Sequence, residues 1–520
     1  MLDQSKAKMT DWSVTIEAAR EDDGSPIFVR IARAITDDIR RGRLRAGDAL
    51  PGTRTLATSL GVHRNTVLAA YRELFAEGWI SSAKAKGTYV SVEIPEVAPK
   101  RFSPKAVLTR EIAARAGYDV ESGARGPGGG PLVESTPPVI PQRGPSLRKG
   151  ALMTLGGGMP DVRLVPAGEL ARAFRRVLRR SALEVLSYGE PQGPVALRAA
   201  IAKMVSATRG VAARTEHVLV ARGSQMGIDL VARTLIRPGD VVAVEHLGYR
   251  PAWEALRAGG ARLVPVPVDA HGIDVGKLER LADAEQLRGV YVTPHHQFPT
   301  TVTLAPARRL RLLDLAREKR FWILEDDYDH EFHYEGRPVL PLASADVHGV
   351  VLYVGTFSKV LAPGMRIGFV VAPVPIIDRL ATTRRYIDRQ GDHLLAMAVA
   401  ELLEEGDIQR HIRRAKRIYA ERRVRFARLL ETHFSGVLSF ELPSGGTAIW
   451  ARVSADVPVD LWAKRALEAG LVLQPARLFS FDGKGRSYLR LGFAQHDERE
   501  AKEAIGRMAR AIPRRARASG

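Results

Sequence analysis

The 520-residue sequence predicts an α/β chain in two parts: a small helical module closed by a β-hairpin, and a large domain on a mainly parallel sheet. Three observations carry this reading. Five apolar runs, HVLVARGSQ, DVVAVEHLGY, GVYVTPHHQF, FWILEDDYDHEF and VVLYVGTFSK, each pass into a polar cluster, in the strand, loop, helix order that builds parallel sheets. Near the N-terminus, helical patterns lead into two alternating apolar runs around a Lys-X-Lys-Gly tip. Between these parts, from 94 to 150, apolar periodicity fades and Pro and Gly accumulate. A linker of that length is uncommon inside one compact domain, and 520 residues exceed what one hydrophobic core usually supports.

Composition narrows the setting. A hydrophobic fraction of 45% with 26% charged residues is ordinary for a soluble protein. No uncharged apolar run reaches spanning length, and MLDQSKAKMTDW lacks the apolar core of a secretory signal, so a cytoplasmic protein with no membrane partner is expected. Zero cysteines exclude disulfides, thiolate metal sites and cysteine nucleophiles. Lys+Arg 78 against Asp+Glu 58 leaves a net charge of +20, which favours a polyanionic partner, nucleic acid being the commonest. Arginines on solvated helix faces, as in RRAKRIYAERRVRFARLLE, give the same balance, so position along the chain has to decide.

Residues 1–25 form a polar lead-in. From Pro26, Ile27, Ile31, Ile35 and Ile39 recur at one-turn spacing. A turn over Leu44 to Pro51 precedes a helix from Thr53 to Leu60, expected to be capped by the Thr53 hydroxyl and ended by Gly61. The next helix buries Val67, Ala70, Tyr71 and Leu74, and opens with His63, Arg64, Asn65 and Thr66. Two helices joined by a Gly-containing turn, the second opening with basic and amide side chains, suit a DNA major groove. The hairpin WISSAKAKGTYVSVEI then makes a wing, with Lys84 and Lys86 placed for phosphates and Gly87 allowing close backbone approach. Residues 26–93 resemble the winged helix-turn-helix DNA-binding domain of the GntR type, on LPGTRTLATSLGVHRNTV and GTYV. The resemblance implies Arg54, Arg64, Asn65, Thr66 and Gly87 as DNA contacts, with His63 standing where the family usually has a small hydroxyl residue. The linker 94–150 follows, extended at its prolines and flexible at its glycines, with a short helix near Leu108 to Ala116.

In the domain from 151 to 513, ligands are expected at the carboxyl ends of the parallel strands. A lysine just beyond the buried run Val350 to Val354 is poorly hydrated, which lowers its pKa and frees the amine for a Schiff base. Lys359 is therefore a candidate anchor for an aldehyde cofactor, with Thr356, Ser358 and Arg366 as donors to a phosphate beside it; an ordinary strand-end lysine with a surface arginine is the alternative. Ser224 and Gln225 open the helix Met226 to Leu235 and offer a second phosphate cradle. Tyr249 can stack on a planar ring or simply join the core. Glu325, Asp326 and Asp327 crowd the end of a buried strand and need a cation, for which a protonated pyridine nitrogen suits Asp326. Tyr328 is near enough in sequence to donate to a ring oxygen. A divalent metal at these acids is the competing reading; the lysine and phosphate-type donors argue against it, and no metal is expected.

Together these residues resemble the fold type I pyridoxal-phosphate enzymes, and with the winged helix the chain resembles the MocR group of regulators, on GVYVTPHHQFPT, ILEDDYDHEFHY, YVGTFSK and LRLGFA in that order. The resemblance implies pyridoxal 5′-phosphate, an aminotransferase-like domain with a smaller C-terminal α+β subdomain, and a homodimer. It implies that Lys359 forms the internal aldimine, Asp326 pairs the ring nitrogen, Tyr328 bonds the ring oxygen and Tyr249 covers the ring. Ser224, Gln225, Thr356, Ser358 and Arg366 would hold the phosphate, Tyr188 in SYGEPQG reaching it from the other subunit. Arg490 would grip the carboxylate of an amino-acid-like effector. His295 stands where the family commonly has Ser, Thr301 where it commonly has Gly, and Pro251 where some members place an effector-contacting arginine. The expected function is PLP-dependent transcriptional regulation in which an amino acid or amine effector modulates binding to an operator. A working aminotransferase tethered to DNA, or a DNA-binding dimer with an inactive scaffold, are the alternatives. A basic tail, 514–520, closes the chain.

Overall fold

The computed structural model describes residues 26–83, 87–92, 152–336 and 339–513. The lead-in, the wing tip with Lys84 and Lys86, the linker with its expected helix near 108–116, and the basic tail lie outside the described residues.

In the N-terminal module, isoleucine spacing produces α1 (Ile27–Arg40), which buries Ile31, Ile35 and Ile39 while Ile27 stays exposed. The stretch expected only to turn contains a short strand, β1 (Ala49–Leu50). α2 (Thr53–Leu60) begins from Gly52 with no side-chain cap, which corrects the role given to Thr53. The Thr53 hydroxyl instead accepts from Arg64 Nε at 3.4 Å, tying the start of one helix to the start of the next. Gly61 ends α2 in the left-handed conformation, φ 65°. α3 (Arg64–Ala76) is capped by His63, whose Nδ1 accepts the Asn65 N–H at 3.2 Å. A ring nitrogen thus does the work of the expected hydroxyl. Val67, Ala70, Tyr71 and Leu74 are buried as expected, and Tyr71 donates to the Pro51 carbonyl at 2.7 Å. β2 (Ile80–Ala83) and β3 (Gly87–Val90) pair antiparallel, and β1 adds to β3, giving the order β1-β3-β2.

The second region runs β4 (Met153–Thr154), α4 (Ala167–Val185), α5 (Val195–Arg209), β5 (Val218–Ala221), α6 (Ser224–Leu235), β6 (Val241–Glu245), α7 (Arg250–Ala258) and β7 (Arg262–Val266). A small hairpin, β8 (Val268–Asp269) and β9 (Gly272–Ile273), leads to α8 (Val275–Ala284), β10 (Leu287–Val292), α9 (Pro306–Lys319), β11 (Trp322–Asp327), β12 (Val351–Thr356) and β13 (Gly368–Val371). The five apolar runs become β5, β6, β10, β11 and β12 of a seven-stranded sheet ordered β5-β13-β12-β11-β10-β6-β7. Its strands are parallel except β13, which runs antiparallel to both neighbours. The loops that follow the five runs therefore gather at one end of the sheet.

Strands this apolar are stable only if covered on both faces. After β13 come α10 (Val374–Arg385), α11 (His393–Glu404) and α12 (Asp407–Phe434). Leu219, Val244, Leu324, Val354 and Val370 pack with α6, α7 and α10. Opposite them, Val218, Tyr353 and Phe369 pack with α5 and α11, and Val290 and Ile323 with α8 and α9. The C-terminal portion comprises β14 (Leu438–Ser439), β15 (Ala448–Val453), α13 (Val459–Glu468), β16 (Leu471–Val472), β17 (Gln474–Pro475), β18 (Tyr488–Gly492) and α14 (Glu498–Arg510). Its four-stranded antiparallel sheet, β14-β15-β18-β17, shares a core around Phe434, Trp462, Leu489 and Leu491. β16 pairs with β4, fastening residues 153–154 to this portion.

Candidate functional site

Alternation along β11 sorts three carboxylates that the sequence only shows as crowded. Glu325 accepts the backbone N–H groups of Leu342 at 2.7 Å and Ala343 at 2.9 Å. Burial, then Asp327, push its pKa up to about 7. Asp327 accepts from Tyr353 at 2.7 Å and faces His330 Nδ1 at 3.1 Å. Although burial pulls its pKa upward, His330, His295 and Arg209 hold it well below the ordinary value. Asp326 points the other way and, among the described residues, accepts only the Tyr291 hydroxyl, at 2.8 Å. Burial raises its pKa to about 7, and its Oδ1 is buried without a partner among the described residues. A buried carboxylate oxygen with nothing to accept from costs about 1–3 kcal/mol, so this atom awaits a donor. A protonated ring nitrogen fits it.

Lys359 follows β12 in a turn and is partly buried. Desolvation lowers its pKa to about 8 despite Asp329; Arg490 and Arg366 push it further down, while Asp326 pushes it up. A side chain in that state supplies a neutral amine near physiological pH. Gly158, at φ 90°, lies against it: a Cβ there would fall 3.6 Å from Nζ.

The anion donors converge on the start of α6. Ser224 and Gln225 occupy its first turn after Gly223, at φ 81°, so the helix begins two residues earlier than expected. A Cβ at Gly223 would fall 2.9 Å from the Arg366 guanidinium, whose Nη2 donates to the Arg222 carbonyl at 2.9 Å. The Thr356 hydroxyl donates to Ser358 Oγ at 3.0 Å and accepts the Ser358 N–H at 3.1 Å. Helix N-terminus, guanidinium and hydroxyls make a phosphate-type cradle. The Gln225 side chain is turned away, donating to the Pro251 carbonyl at 2.9 Å, so its contribution to the cradle is its backbone N–H. Tyr249 meets Phe298 edge-on at 5.6 Å, and burial followed by Asp326 raises its pKa to about 12, with Arg366 opposing. It thus lies within the fields of both the acid and the cradle arginine.

Arg490, on β18, is fully buried. Its Nη1 donates to the Pro299 carbonyl at 2.8 Å, and its guanidinium lies 4.6 Å from the Phe298 ring centre. Its Nε and Nη2 have no partner among the described residues. Two unpaired donors on a buried guanidinium suit a carboxylate. A Cβ at Gly157 would fall 2.5 Å from Arg490 Nε, so that backbone passes where a side chain cannot. The Tyr328 hydroxyl donates to the His296 carbonyl at 2.8 Å, a partner the sequence did not suggest.

Lys359, Asp326, Tyr249, Arg366, Arg490 and Tyr328 are thus brought into one electrostatically coupled group. Tyr188 does not join it within the chain; it is 77% exposed, with the Arg389 guanidinium 4.1 Å from its ring centre. Sequence reasoning missed Tyr291, Asp329, Gly157 and Gly158, although the LGGGMP run was visible. Thr301 keeps a left-handed backbone, φ 64°, at the position where a glycine was expected. In the N-terminal module, Arg54, Arg64 and Asn65 are exposed, Thr66 is half-buried, and Gly87 is exposed at φ 113°.

Residues 28–90 match the bacterial regulatory proteins of the gntR family, and residues 152–508 match aminotransferase class I and II. The chain is 32% identical to the probable rhizopine catabolism regulatory protein MocR of Rhizobium meliloti, over 92% of each protein. It is 31% identical to the HTH-type transcriptional regulator TauR of Rhodobacter capsulatus, covering 93% of this chain and 96% of that one. Among solved structures, the α-aminoadipate aminotransferase LysN of Thermus thermophilus, complexed with N-(5′-phosphopyridoxyl)-L-leucine, superposes with a TM-score of 0.65 at 31% identity, covering 70% of this chain and 92% of that one. No helix among the described residues is long and apolar enough to cross a membrane. The chain belongs to the class I and II aminotransferase family, joined here to a gntR-type winged helix in the MocR architecture, and its cofactor is pyridoxal 5′-phosphate.

Proposed function

We propose that the chain is a PLP-dependent transcriptional regulator of the cytoplasm, in which capture of an amino acid or amine alters binding to a DNA operator. The observation that carries this reading is that Asp326 Oδ1 and Arg490 Nη2, buried and unsatisfied among the described residues, act on the partly buried Lys359, in a chain that also contains a winged helix. Pyridoxal 5′-phosphate supplies an aldehyde that condenses with amines and a ring that withdraws electrons. Lys359, kept short of protons by desolvation, serves as the covalent anchor, and Asp326 Oδ1 accepts from the ring N–H. Ser224, Thr356, Ser358, Arg366 and the backbone of Gln225 hold the phosphate, and Tyr249 covers the ring and excludes water. Tyr328 serves the ring oxygen, for which its hydroxyl would exchange the His296 carbonyl. Arg490 takes the effector carboxylate with the two donors it leaves unused.

On the DNA side, Arg54, Arg64, Asn65, Thr66 and Gly87, with Lys84 and Lys86 of the wing, contact the operator. The regulator works as a homodimer to which Tyr188 contributes across the interface; the exposure of Leu183 at 89%, Leu186 at 74% and Tyr188 at 77% supports an apolar face awaiting a second copy. The effector shifts DNA affinity only as far as it binds the two states differently.

The test is an absorbance titration of the cofactor-loaded protein with amines and amino acids, run beside a gel-shift series. The expected result is a spectral change at the same effector concentration that changes DNA affinity. Full turnover with a keto acid acceptor would instead establish a working aminotransferase, and a spectral change without any DNA response would sink the regulatory reading.

A further inference from the structure

Beside the lysine site lies a group of histidines that the reading above does not use. His295 and His296 follow β10, and His330 and His333 follow β11, so the parallel pairing of these strands brings two HH and HxxH pairs together. All four rings are buried. The rings of His295 and His296 are 4.2 Å apart, and those of His295 and His333 are 6.0 Å apart. One ring nitrogen from each of His295, His296 and His333 can be chosen so that all three lie within 4.8 Å of one another.

What distinguishes this group from a satisfied polar core is its hydrogen bonding. Both nitrogens of His295 and Nε2 of His296 have no partner among the described residues, and the one group that His333 meets for a hydrogen bond there is the Glu335 backbone, which leaves its other nitrogen free. Each neutral imidazole needs a donor for one nitrogen and an acceptor for the other, and a buried polar atom left alone costs about 1–3 kcal/mol. The exception is informative: His296 Nδ1 lies 2.8 Å from Asp329 Oδ1, the carboxylate-histidine arrangement that fixes the tautomer and leaves Nε2 a free lone pair. A Cβ at Gly445 would fall 2.2 Å from that Nε2, so only a backbone without a side chain can pass beside the ring.

We propose that His295, His296 and His333 bind a borderline divalent transition metal, zinc being the natural probe, with Asp329 as the carboxylate that orients His296. An all-imidazole set selects this class over magnesium or calcium. At a metal–nitrogen distance of about 2.0–2.1 Å, tetrahedral ligands stand about 3.4 Å apart, so nitrogens now within 4.8 Å of one another close by up to about 1.4 Å on binding. Three histidines leave a coordination position for water or another ligand. Among the surrounding charges, Asp327 and Asp329 favour a cation. His330, paired with Asp327, and Lys416 near His333 oppose it. The motif departure at His295 is then a ligand gained.

The test uses the full-length protein, saturated with pyridoxal phosphate, stripped with a chelator and titrated with Zn²⁺ against a chromophoric competitor. One zinc per chain is expected, weakened at least 100-fold by His295→Asn and by His333→Gln, and about 10- to 100-fold by Asp329→Asn. X-ray absorption on the zinc-loaded wild type needs no variant and is expected to show imidazole nitrogens at about 2.0–2.1 Å. Failure to retain zinc, oxygen-only coordination, or undiminished binding in both histidine variants would each overturn the assignment and leave a water-filled histidine cluster. None of these results depends on DNA binding or effector response, so failure here is separable from failure of the regulatory reading.

Discussion

The two regions of this chain place the side chains proposed for their functions in opposite environments. In the winged helix, Arg54, Arg64 and Asn65 stand in solvent at helix starts, over a core supplied by other residues such as Ile35, Val67 and Leu74. In the aminotransferase-like region, Asp326 and Arg490 are buried, and each keeps atoms without partners among the described residues. The difference is one of dielectric. Exposed arginines act on phosphates through a screened field and cost the fold little when removed. Buried ones are held short of solvation so that the ligand completes them, and changing them disturbs stability and binding together.

The largest test of this contrast is Lys359→Ala, which should abolish the pyridoxyl peptide trapped by borohydride and end the effector response of DNA binding. An adduct mapped to another residue would remove the covalent assignment. Next, Arg490→Ala should weaken carboxylate-bearing effectors by about 2–5 kcal/mol while sparing simple amines, measured by spectral titration. Arg490→Lys should not restore affinity, because a point charge replaces a planar fork. A third test isolates desolvation at Asp326 in the cofactor-free protein. Its carboxyl is protonated in the native state up to about pH 7 but ionises near pH 4 when unfolded, so the native state binds more protons between those limits. Its contribution to stability is therefore present below about pH 4 and is lost as pH rises through 7. Relative to Asp326→Asn, the wild type should lose roughly 2–4 kcal/mol across that window by chemical denaturation. A flat difference would mean that Asp326 is hydrated.

On the exposed side the effects are smaller. Arg64→Ala should weaken operator binding by about 1–3 kcal/mol with the melting temperature unchanged, selectively if it reads a base and uniformly if it meets phosphate. The smallest effect concerns the start of α3: His63→Ala should cost the module about 1 kcal/mol of stability, and His63→Ser should recover most of it. A loss of stability for Arg64→Ala larger than that for His63→Ala would break the contrast between the two environments.

Much of the fold was legible because its signal is local. The runs that became β5, β6, β10, β11 and β12 are apolar for the same reason that they are covered on both faces. The lysine, acid and arginine at strand ends were legible for a related reason: polar residues abutting such runs have few places to go. What escaped was assembled from afar. Gly157 matters only because Arg490 arrives more than 300 residues later, and Tyr291 reads as core until its hydroxyl is seen on Asp326. The capping role given to Thr53 failed because Gly52 occupies the cap position and Thr53 is already inside the first turn, where its oxygen meets Arg64 of the following helix. The histidine cluster was in plain sight in PHHQ and DHEFH, but its proximity depends on the pairing of β10 with β11.

That pairing also bears on how the chain avoids a wrong answer while folding. Sliding β11 by a single residue would exchange its faces, turning Glu325 and Asp327 to the side that Asp326 now occupies beside Tyr291 and turning Asp326 toward Arg309 and Tyr353. In the observed alignment Glu325 holds the amides of Leu342 and Ala343, so a carboxylate on the face away from Asp326 ties β11 to the segment that leads into β12.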